Sequence, residues 1–167
     1  MFSPELNDQA ATLIALCRTR GKRIATAESC TGGLVAGLLT EIPGASAVVD
    51  RGFVVYSNEA KQELLGVPTA TLAAFGAVSQ ETARAMARGA LAHSHADFAI
   101  ATTGVAGPDG GTSEKPVGLV HFACAGADGS VVALERRYGD VGRAAIRLAS
   151  VATALDMLEE AASRGGG

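Results

Sequence analysis

The residues with the clearest chemical potential lie in the segment 27–33, of sequence AESCTGG. A short strand-like run precedes this segment and an apolar helical run follows it, so Ser29 and Cys30 lie at a strand-to-helix junction. Backbone N–H groups at a helix start are unpaired and partly positive, which suits an oxygen that becomes negative or an anion that must be held. Gly32 and Gly33 allow another molecule to approach the backbone closely. The segment therefore predicts a catalytic turn, a phosphate cradle or a simple helix cap.

A second candidate group surrounds Tyr56 and Lys61, at the end of another strand-like run. Ser57 or Asn58 begins the next helix, which puts Lys61 about one turn into it. A solvated surface lysine is the commonest case, whereas a buried lysine beside a serine loses its proton more readily and acts as a general base. Tyr56 is either an ordinary core aromatic or a group that relays a proton to the attacking oxygen.

A glycine-rich loop over 104–116 follows a buried-looking strand predicted over 97–102. Its glycines expose N–H groups that together can hold an anion, although a flexible loop fits the same composition. The loop has neither the Walker A lysine nor the dinucleotide-binding pattern, and Lys115 just beyond it could supply a positive charge. Arg143 and Arg147 are spaced to share a helix face, where they are either solvated or suited to a phosphate.

Ser29 is favoured over Cys30 as a nucleophile, because no histidine with an Asn or Asp partner is placed to activate a thiol. The cysteines form an odd set without CxxC spacing, so we expect three reduced thiols. The three histidines make no metal-ligand pattern, and we predict no metal site. The cysteines are Cys17, Cys30 and Cys124, and the histidines are His93, His95 and His121.

Composition restricts the classes of protein that fit. The chain has 167 residues, a formal net charge of −3 and no tryptophan, which argues against a nucleic-acid binder with a basic face and stacking aromatics. No apolar run approaches the roughly 20 residues that cross a bilayer, and no signal peptide begins the sequence. We expect one cytoplasmic domain over 1–167, ordered over about 5–160 with a tail at 163–167, that binds neither nucleic acid nor membrane.

The elements that must position these groups alternate along the chain. We predict a single layered α/β/α domain with a mixed, largely parallel sheet, because a hairpin signal at 126–129 follows the alternating part. Gly52 inside the second strand favours a bulge there, and Asp140 is expected to cap the last helix. The predicted helices cover 5–20, 31–40, 57–65, 79–92 and 140 to about 160, and the predicted strands cover 22–26, 48–56, 97–102, 117–125 and 130–138.

Six blocks in order along the chain closely resemble the CinA C-terminal domain family. The family is the competence/damage-inducible one, whose active members are nicotinamide-nucleotide amidohydrolases. The likeness runs from about residue 6 to residue 158, which is nearly the whole chain. The blocks are 27–33, 52–58 together with Lys61, 65–67, 76–79, 103–112 and 115–118.

The resemblance implies hydrolysis of nicotinamide mononucleotide to nicotinic acid mononucleotide and ammonia, in pyridine-nucleotide salvage, with neither a metal nor an organic cofactor. The family's serine nucleophile corresponds to Ser29, its lysine to Lys61 and its motif tyrosine to Tyr56. We expect Lys61 to take the serine proton, with Tyr56 as relay, and Thr103 with N–H groups at the start of the 31–40 helix to stabilise the oxyanion. We expect substrate contacts from Cys30, Thr31, Gly32, Gly33, Asn58, Gly104, Ala106, Gly107, Gly111, Thr112, Lys115 and Arg143, with the phosphate on the glycine loop or on Arg143.

Two other functions remain open at this point. Some relatives have the fold without detectable deamidase activity, so a non-catalytic nucleotide-binding module is the first alternative, and a different amidase on the same site is the second. A DNA-acting protein fits the acidic composition least. The chain resembles the stand-alone form of the family, without the molybdopterin-binding-like domain of longer relatives, and its Ala-rich helices favour a homo-oligomer.

Overall fold

Strands and helices alternate through most of the chain, and the computed structural model describes residues 1–164. Ser3 caps the first helix and Ser57 caps the third, each accepting a hydrogen bond from the first turn. The strands are β1 (Ile24–Glu28), β2 (Val49–Val54), β3 (Phe98–Gly104), β4 (Leu119–Gly126) and β5 (Val131–Arg137). The helices are α1 (Pro4–Thr19), α2 (Leu34–Glu41), α3 (Asn58–Leu65), α4 (Thr69–Phe75), α5 (Gln80–Ala92) and α6 (Arg143–Arg164), with a 3-10 turn at Ala45–Ala47.

The five strands form one mixed sheet in the order β2-β1-β3-β4-β5. Strand β1 pairs in parallel with both β2 and β3, whereas β4 pairs antiparallel with β3 and with β5. The α/β class and the mixed sheet are thus confirmed, with the parallel part limited to the three strands β1 to β3.

Helices cover both faces of the sheet, and the two faces differ in side-chain size. Helices α1, α2 and α6 pack on the face that carries Ile100, Val120 and Phe122. Helix α5 packs on the opposite face, where the strands present a row of alanines that leaves room for close contact. These alanines are Ala25, Ala27, Ala99, Ala101, Ala123 and Ala125.

The topology places the chemistry at one edge of the sheet. The chain leaves β1 for α2 on one face and returns through α3, α4 and α5 on the other, so β1 lies where the strand order reverses. Ligands bind outside the carboxyl ends of the strands at such a reversal. Ser29 follows β1 there, Val55 and Tyr56 follow β2, and Thr103 lies near the end of β3.

Some predicted details of the elements are wrong. Asp140 does not begin α6, which starts at Arg143 after Gly142 turns the chain with a φ of 92°. The irregularity in β2 falls at Asp50 rather than at Gly52, because the register with β1 shifts there.

The far end of the chain also differs from expectation. Helix α6 continues through residues 163 and 164, which we had expected to belong to a tail, and residues 165–167 lie outside the described part. Helix α4 was not predicted at all. No helix among residues 1–164 combines the length and apolar character that a membrane crossing requires.

Candidate active site

Ser29 is held at the end of β1 by the sheet itself. Its N–H donates to the carbonyl of Thr102 at 3.0 Å, which extends the β1–β3 pairing beyond the last residue of β1. Ser29 is 8% exposed. Gly32 and Gly33 then turn the chain into α2 with φ values of 58° and 96°, which other residues rarely adopt.

Lys61 is fully buried and points back from the first turn of α3 to the serine. Its Nζ lies 3.1 Å from Ser29 Oγ, 2.9 Å from the carbonyl oxygen of Val55 and 3.1 Å from that of Tyr56. These partners are all uncharged. Burial without a carboxylate partner lowers the pKa of Lys61 below its ordinary value. The predicted serine–lysine pair is therefore in direct contact.

The three partners of Lys61 match the hydrogen-bonding capacity of a neutral amine. The two carbonyls can only accept, so they take the two N–H groups of an –NH₂. In this neutral form the remaining lone pair of the nitrogen would face the Ser29 hydroxyl, whereas a protonated amine would donate its third N–H to Ser29 Oγ. Only the neutral form of the amine could remove a proton from the serine.

Cys30 is a poor nucleophile in this structure. Its side chain is 5% exposed and belongs to the core on the α2 face of the sheet. Burial raises the pKa of the thiol to about 12, so the thiolate is scarce at neutral pH. Ser29, which faces Lys61, is favoured by the geometry as well as by the sequence.

Tyr56 and Arg143 form the outer rim of the site. The Tyr56 ring is 61% exposed, and its hydroxyl accepts a hydrogen bond from Arg143 Nη2 at 3.2 Å. Arg143 Nη1 donates to the carbonyl of Gly107 at 2.9 Å, so one guanidinium joins the tyrosine to the glycine-rich loop. Lys61 contacts the Tyr56 backbone carbonyl, and the Tyr56 hydroxyl contacts Arg143. This position favours a role for Tyr56 in placing Arg143.

The other predicted polar groups differ in burial and in their hydrogen-bond partners. Thr103 is buried and its Oγ1 donates to the carbonyl of Ala77 at 2.7 Å. Thr31 is also buried, with its Oγ1 2.7 Å from that of Thr102. Asn58 is exposed at the first residue of α3.

The second half of the glycine-rich loop is held by contacts with itself and with the end of α4. Lys115 Nζ donates to the carbonyl of Phe75 at 2.6 Å, and its backbone closes a turn with Thr112 through two bonds of 2.9 Å. Packing accounts for three other loop residues. Ala106 is buried in the core, and a Cβ at Gly104 or Gly111 would come within 3.0 Å of backbone atoms in the segment that follows the loop. The first half of the loop, next to Arg143, is thus the part that borders the site.

Glu28 has contacts that the sequence does not indicate. It is fully buried, and its carboxylate accepts the N–H groups of Gly33, Val35 and Ala36 at 3.0, 3.0 and 2.9 Å. The predicted use of the α2 start for the oxyanion is therefore wrong for these three groups, because an anion of the chain already occupies them. Glu28 precedes α2 by six positions, outside the spacing of a capping box, so no local pattern marks it.

Arg147 is the second residue whose contacts the sequence does not indicate. Its Nε donates to the carbonyl of Cys30 and its Nη2 to the carbonyl of Thr31, both at 3.1 Å. The sequence predicted that Arg147 shares a helix face with Arg143, but its bonds are to the turn after β1. Within residues 1–164 no group of three His, Cys, Asp or Glu side chains is placed to hold a metal ion.

Comparisons with known proteins agree with this fold. A sequence model of the CinA C-terminal domain matches residues 6–162. The crystal structure of the competence/damage inducible protein CihA from Agrobacterium tumefaciens is similar with a TM-score of 0.95 and 56% identity, covering 98% of both chains.

Sequence relatives fall into two lengths. The nicotinamide-nucleotide amidohydrolase PncC of Enterobacter agglomerans is 48% identical over 149 residues, which are 89% of this chain and 90% of that protein. A CinA-like protein of Anaeromyxobacter sp. (strain Fw109-5) is 50% identical over 159 residues, which are 95% of this chain and 38% of that protein. The chain thus spans well under half the length of the longer relatives.

Proposed function

The chain belongs to the family of CinA C-terminal domains, and from this membership and its buried serine–lysine pair we propose that it is a nicotinamide-nucleotide amidohydrolase. It would convert nicotinamide mononucleotide into nicotinic acid mononucleotide and ammonia, in pyridine-nucleotide salvage. The name of the PncC relative supports the substrate. The observation that carries the chemistry is the 3.1 Å contact between Lys61 Nζ and Ser29 Oγ in a site without a carboxylate partner for the lysine.

The first half-reaction acylates Ser29. Neutral Lys61 takes the hydroxyl proton while Ser29 Oγ forms a bond to the carboxamide carbon, and the carbonyl oxygen becomes an oxyanion. When the oxyanion collapses, the bond from carbon to the amide nitrogen breaks. Lys61 returns its proton to the leaving nitrogen, which departs as ammonia and leaves a nicotinoyl ester on Ser29.

The second half-reaction repeats these steps with water. Lys61, again neutral, takes a proton from a water molecule whose oxygen attacks the ester carbon. The bond from carbon to Ser29 Oγ then breaks, and Lys61 gives the proton to Ser29. The products are the free acid and the original enzyme, so each turnover consumes one water and releases one ammonia.

We further propose that the rim residues bind the nucleotide part of the substrate. Arg143 lies between Tyr56 and Gly107 and uses one N–H of each terminal nitrogen on them, which leaves further N–H groups for a phosphate oxygen. The exposed ring of Tyr56 offers an apolar face beside it. A small-molecule nucleotide is then the partner that the site requires, and assembly into a homo-oligomer is a separate proposal.

Ammonia release from nicotinamide mononucleotide, measured by a coupled assay, tests the proposed function. We expect turnover by the wild-type protein and loss of turnover in Ser29→Ala and in Lys61→Met. Turnover should persist in Cys30→Ala, which removes only a thiol that lies in the core and keeps the backbone N–H. The mass of the denatured protein during turnover should show an acyl adduct that is absent from Ser29→Ala and that retains the ribose phosphate, because ammonia is the only group that leaves.

Three results would contradict this proposal in different ways. Thermal stabilisation by the nucleotide without ammonia release would indicate a binding module. Release from simple carboxamides but not from the nucleotide would indicate a different amidase. Full activity of Ser29→Ala would remove the serine from the mechanism and return attention to Cys30.

A further inference from the structure

The backbone of the turn after β1 has few N–H groups left for a substrate. The N–H of Ser29 donates to Thr102, and the N–H of Gly32 donates to the Ser29 carbonyl at 3.0 Å. The N–H groups at the start of α2 are held by the Glu28 carboxylate. Among residues 1–164, the N–H groups of Cys30 and Thr31 have no hydrogen-bond acceptor. They are also the backbone donors that follow the nucleophile directly.

Arg147 binds the opposite side of the same peptide units. It reaches the turn from α6 and is only partly exposed, with bonds of 3.1 Å to the carbonyls of Cys30 and Thr31. Its Nε and Nη2 each donate a hydrogen bond to one of two successive carbonyl oxygens, which the planar guanidinium group allows. A lysine has a single charged nitrogen and cannot reproduce this geometry.

Peptide geometry connects these contacts to the free N–H groups. The carbonyl of Cys30 and the N–H of Thr31 belong to one planar trans unit and point in opposite directions. A guanidinium on that carbonyl therefore turns the Thr31 N–H away from α6 and increases its polarity as a donor.

The second contact of Arg147 acts one unit further along. By binding the Thr31 carbonyl, it fixes the peptide unit whose N–H belongs to Gly32. That N–H holds the Ser29 carbonyl, which shares a peptide unit with the Cys30 N–H. Arg147 thus holds the Thr31 donor directly and the Cys30 donor through the Gly32 N–H, while the Thr31 carbonyl also accepts the Leu34 N–H at 3.1 Å.

We propose that Arg147 is a positioning residue that aims the N–H groups of Cys30 and Thr31 at the oxyanion formed on Ser29. The inference rests on the proposed acyl transfer at Ser29. Donors of this kind act on the tetrahedral adduct and contribute little to binding of the ground state. Loss of Arg147 should therefore lower kcat and leave KM almost unchanged.

The kinetic test compares Arg147→Ala and Arg147→Lys with the control Arg20→Ala. Arg20 also donates to two backbone carbonyls, those of Ala162 and Ser163, at the far end of α6. We expect kcat for ammonia release to fall about 100-fold in Arg147→Ala, comparable to the loss of one oxyanion donor, and to stay near the wild-type value in the control. Added methylguanidinium should restore part of the loss in Arg147→Ala, whereas it should not rescue Lys61→Met.

A second readout separates this inference from the identity of the substrate. A fluorophosphonate forms a bond from Ser29 Oγ to phosphorus as fluoride leaves, and its phosphoryl oxygen requires the same donors. Labelling of Ser29, followed by mass, should slow in Arg147→Ala and not in Arg20→Ala, even if the nucleotide is not hydrolysed. Slower labelling of Arg147→Ala, together with no hydrolysis of the nucleotide by the wild-type protein, would contradict the proposed substrate and support the role of Arg147.

The outcomes that overturn the inference are equally specific. A normal kcat with a raised KM in Arg147→Ala would make Arg147 a substrate contact. Normal labelling of Ser29 in that variant would show that the donors do not depend on the guanidinium. If Arg147→Ala fails to fold, Arg147→Lys carries the test, and a wild-type kcat there would show that charge alone suffices.

Discussion

Replacement of Glu28 by glutamine should destabilise the protein far more than such a conservative change suggests. The carboxylate accepts three N–H groups at the α2 start while fully buried. A glutamine oxygen in the place of Oε2 keeps the bonds from Gly33 and Val35, although as neutral hydrogen bonds. Its –NH₂ group in the place of Oε1 would face the Ala36 N–H, so two donors would oppose each other.

The magnitude follows from these three contacts. A hydrogen bond to a charged group contributes about 1.5–3 kcal/mol and a neutral one about 0.5–1.5 kcal/mol. One charged bond is lost and two are weakened, while burial of an amide costs less than burial of a carboxylate. We expect a net loss of about 3 kcal/mol in the free energy of unfolding, and a fall in melting temperature of roughly 6–12 °C for a domain of this size.

Urea unfolding at pH 7, followed by far-ultraviolet circular dichroism, measures this loss without the tryptophan that the chain lacks. Glu59→Gln is the matched control, because Glu59 is also a glutamate in the first turn of a helix but is exposed in α3. We expect the control to lose a small fraction of that stability. Equal losses in the two variants, or less than about 1 kcal/mol for Glu28→Gln, would refute the assignment of Glu28 as the internal anion of α2.

Gly89→Ala should destabilise the fold by about 2 kcal/mol or more in urea, since its Cβ would collide with the backbone carbonyl at the end of α3. Gly37→Ala is also helical but nearly free of neighbours, and should stabilise by about 0.5–1 kcal/mol. The ratio kcat/KM should fall as pH is lowered through the depressed pKa of Lys61, because only the neutral amine is active; a flat profile would contradict the base role. Tyr56→Phe should raise KM through Arg143 and leave kcat within about threefold, whereas a proton relay would cost about 100-fold in kcat.

Local signals in the sequence predict those helices whose ends carry a capping side chain or a terminating glycine. Helix α3 is bounded by Ser57 as cap and by Gly66 with a φ of 64°, and both boundaries were predicted. Helix α4 was missed because it has seven residues and its N-cap, Pro68, makes no side-chain cap bond. At the start of α6, the flexible Gly142 determines where the helix begins, and Asp140 lies too early.

The serine–lysine contact can be predicted from the sequence, whereas the contacts of Glu28 and Arg147 cannot. Carboxyl ends of parallel strands meet at one edge, so groups that follow β1 and β2 come together once the pairing is known. The contacts of Glu28 and Arg147 depend on the direction of backbone N–H and carbonyl groups in one turn. Arg147 is 116 and 117 positions away from its two acceptors, and no periodicity reports such a contact.

Two electrostatic requirements of the site conflict, and the order of Glu28, the last residue of β1, and Ser29, which follows it, satisfies both. The lysine base must stay neutral, which a nearby carboxylate would oppose, whereas the α2 start needs an anion. Successive side chains of a strand point to opposite faces of a sheet. Glu28 therefore lies on the α2 face and Ser29 on the α3 face with Lys61. Adjacent positions thus carry the acid and the nucleophile, and the sheet between them keeps the carboxylate away from the amine.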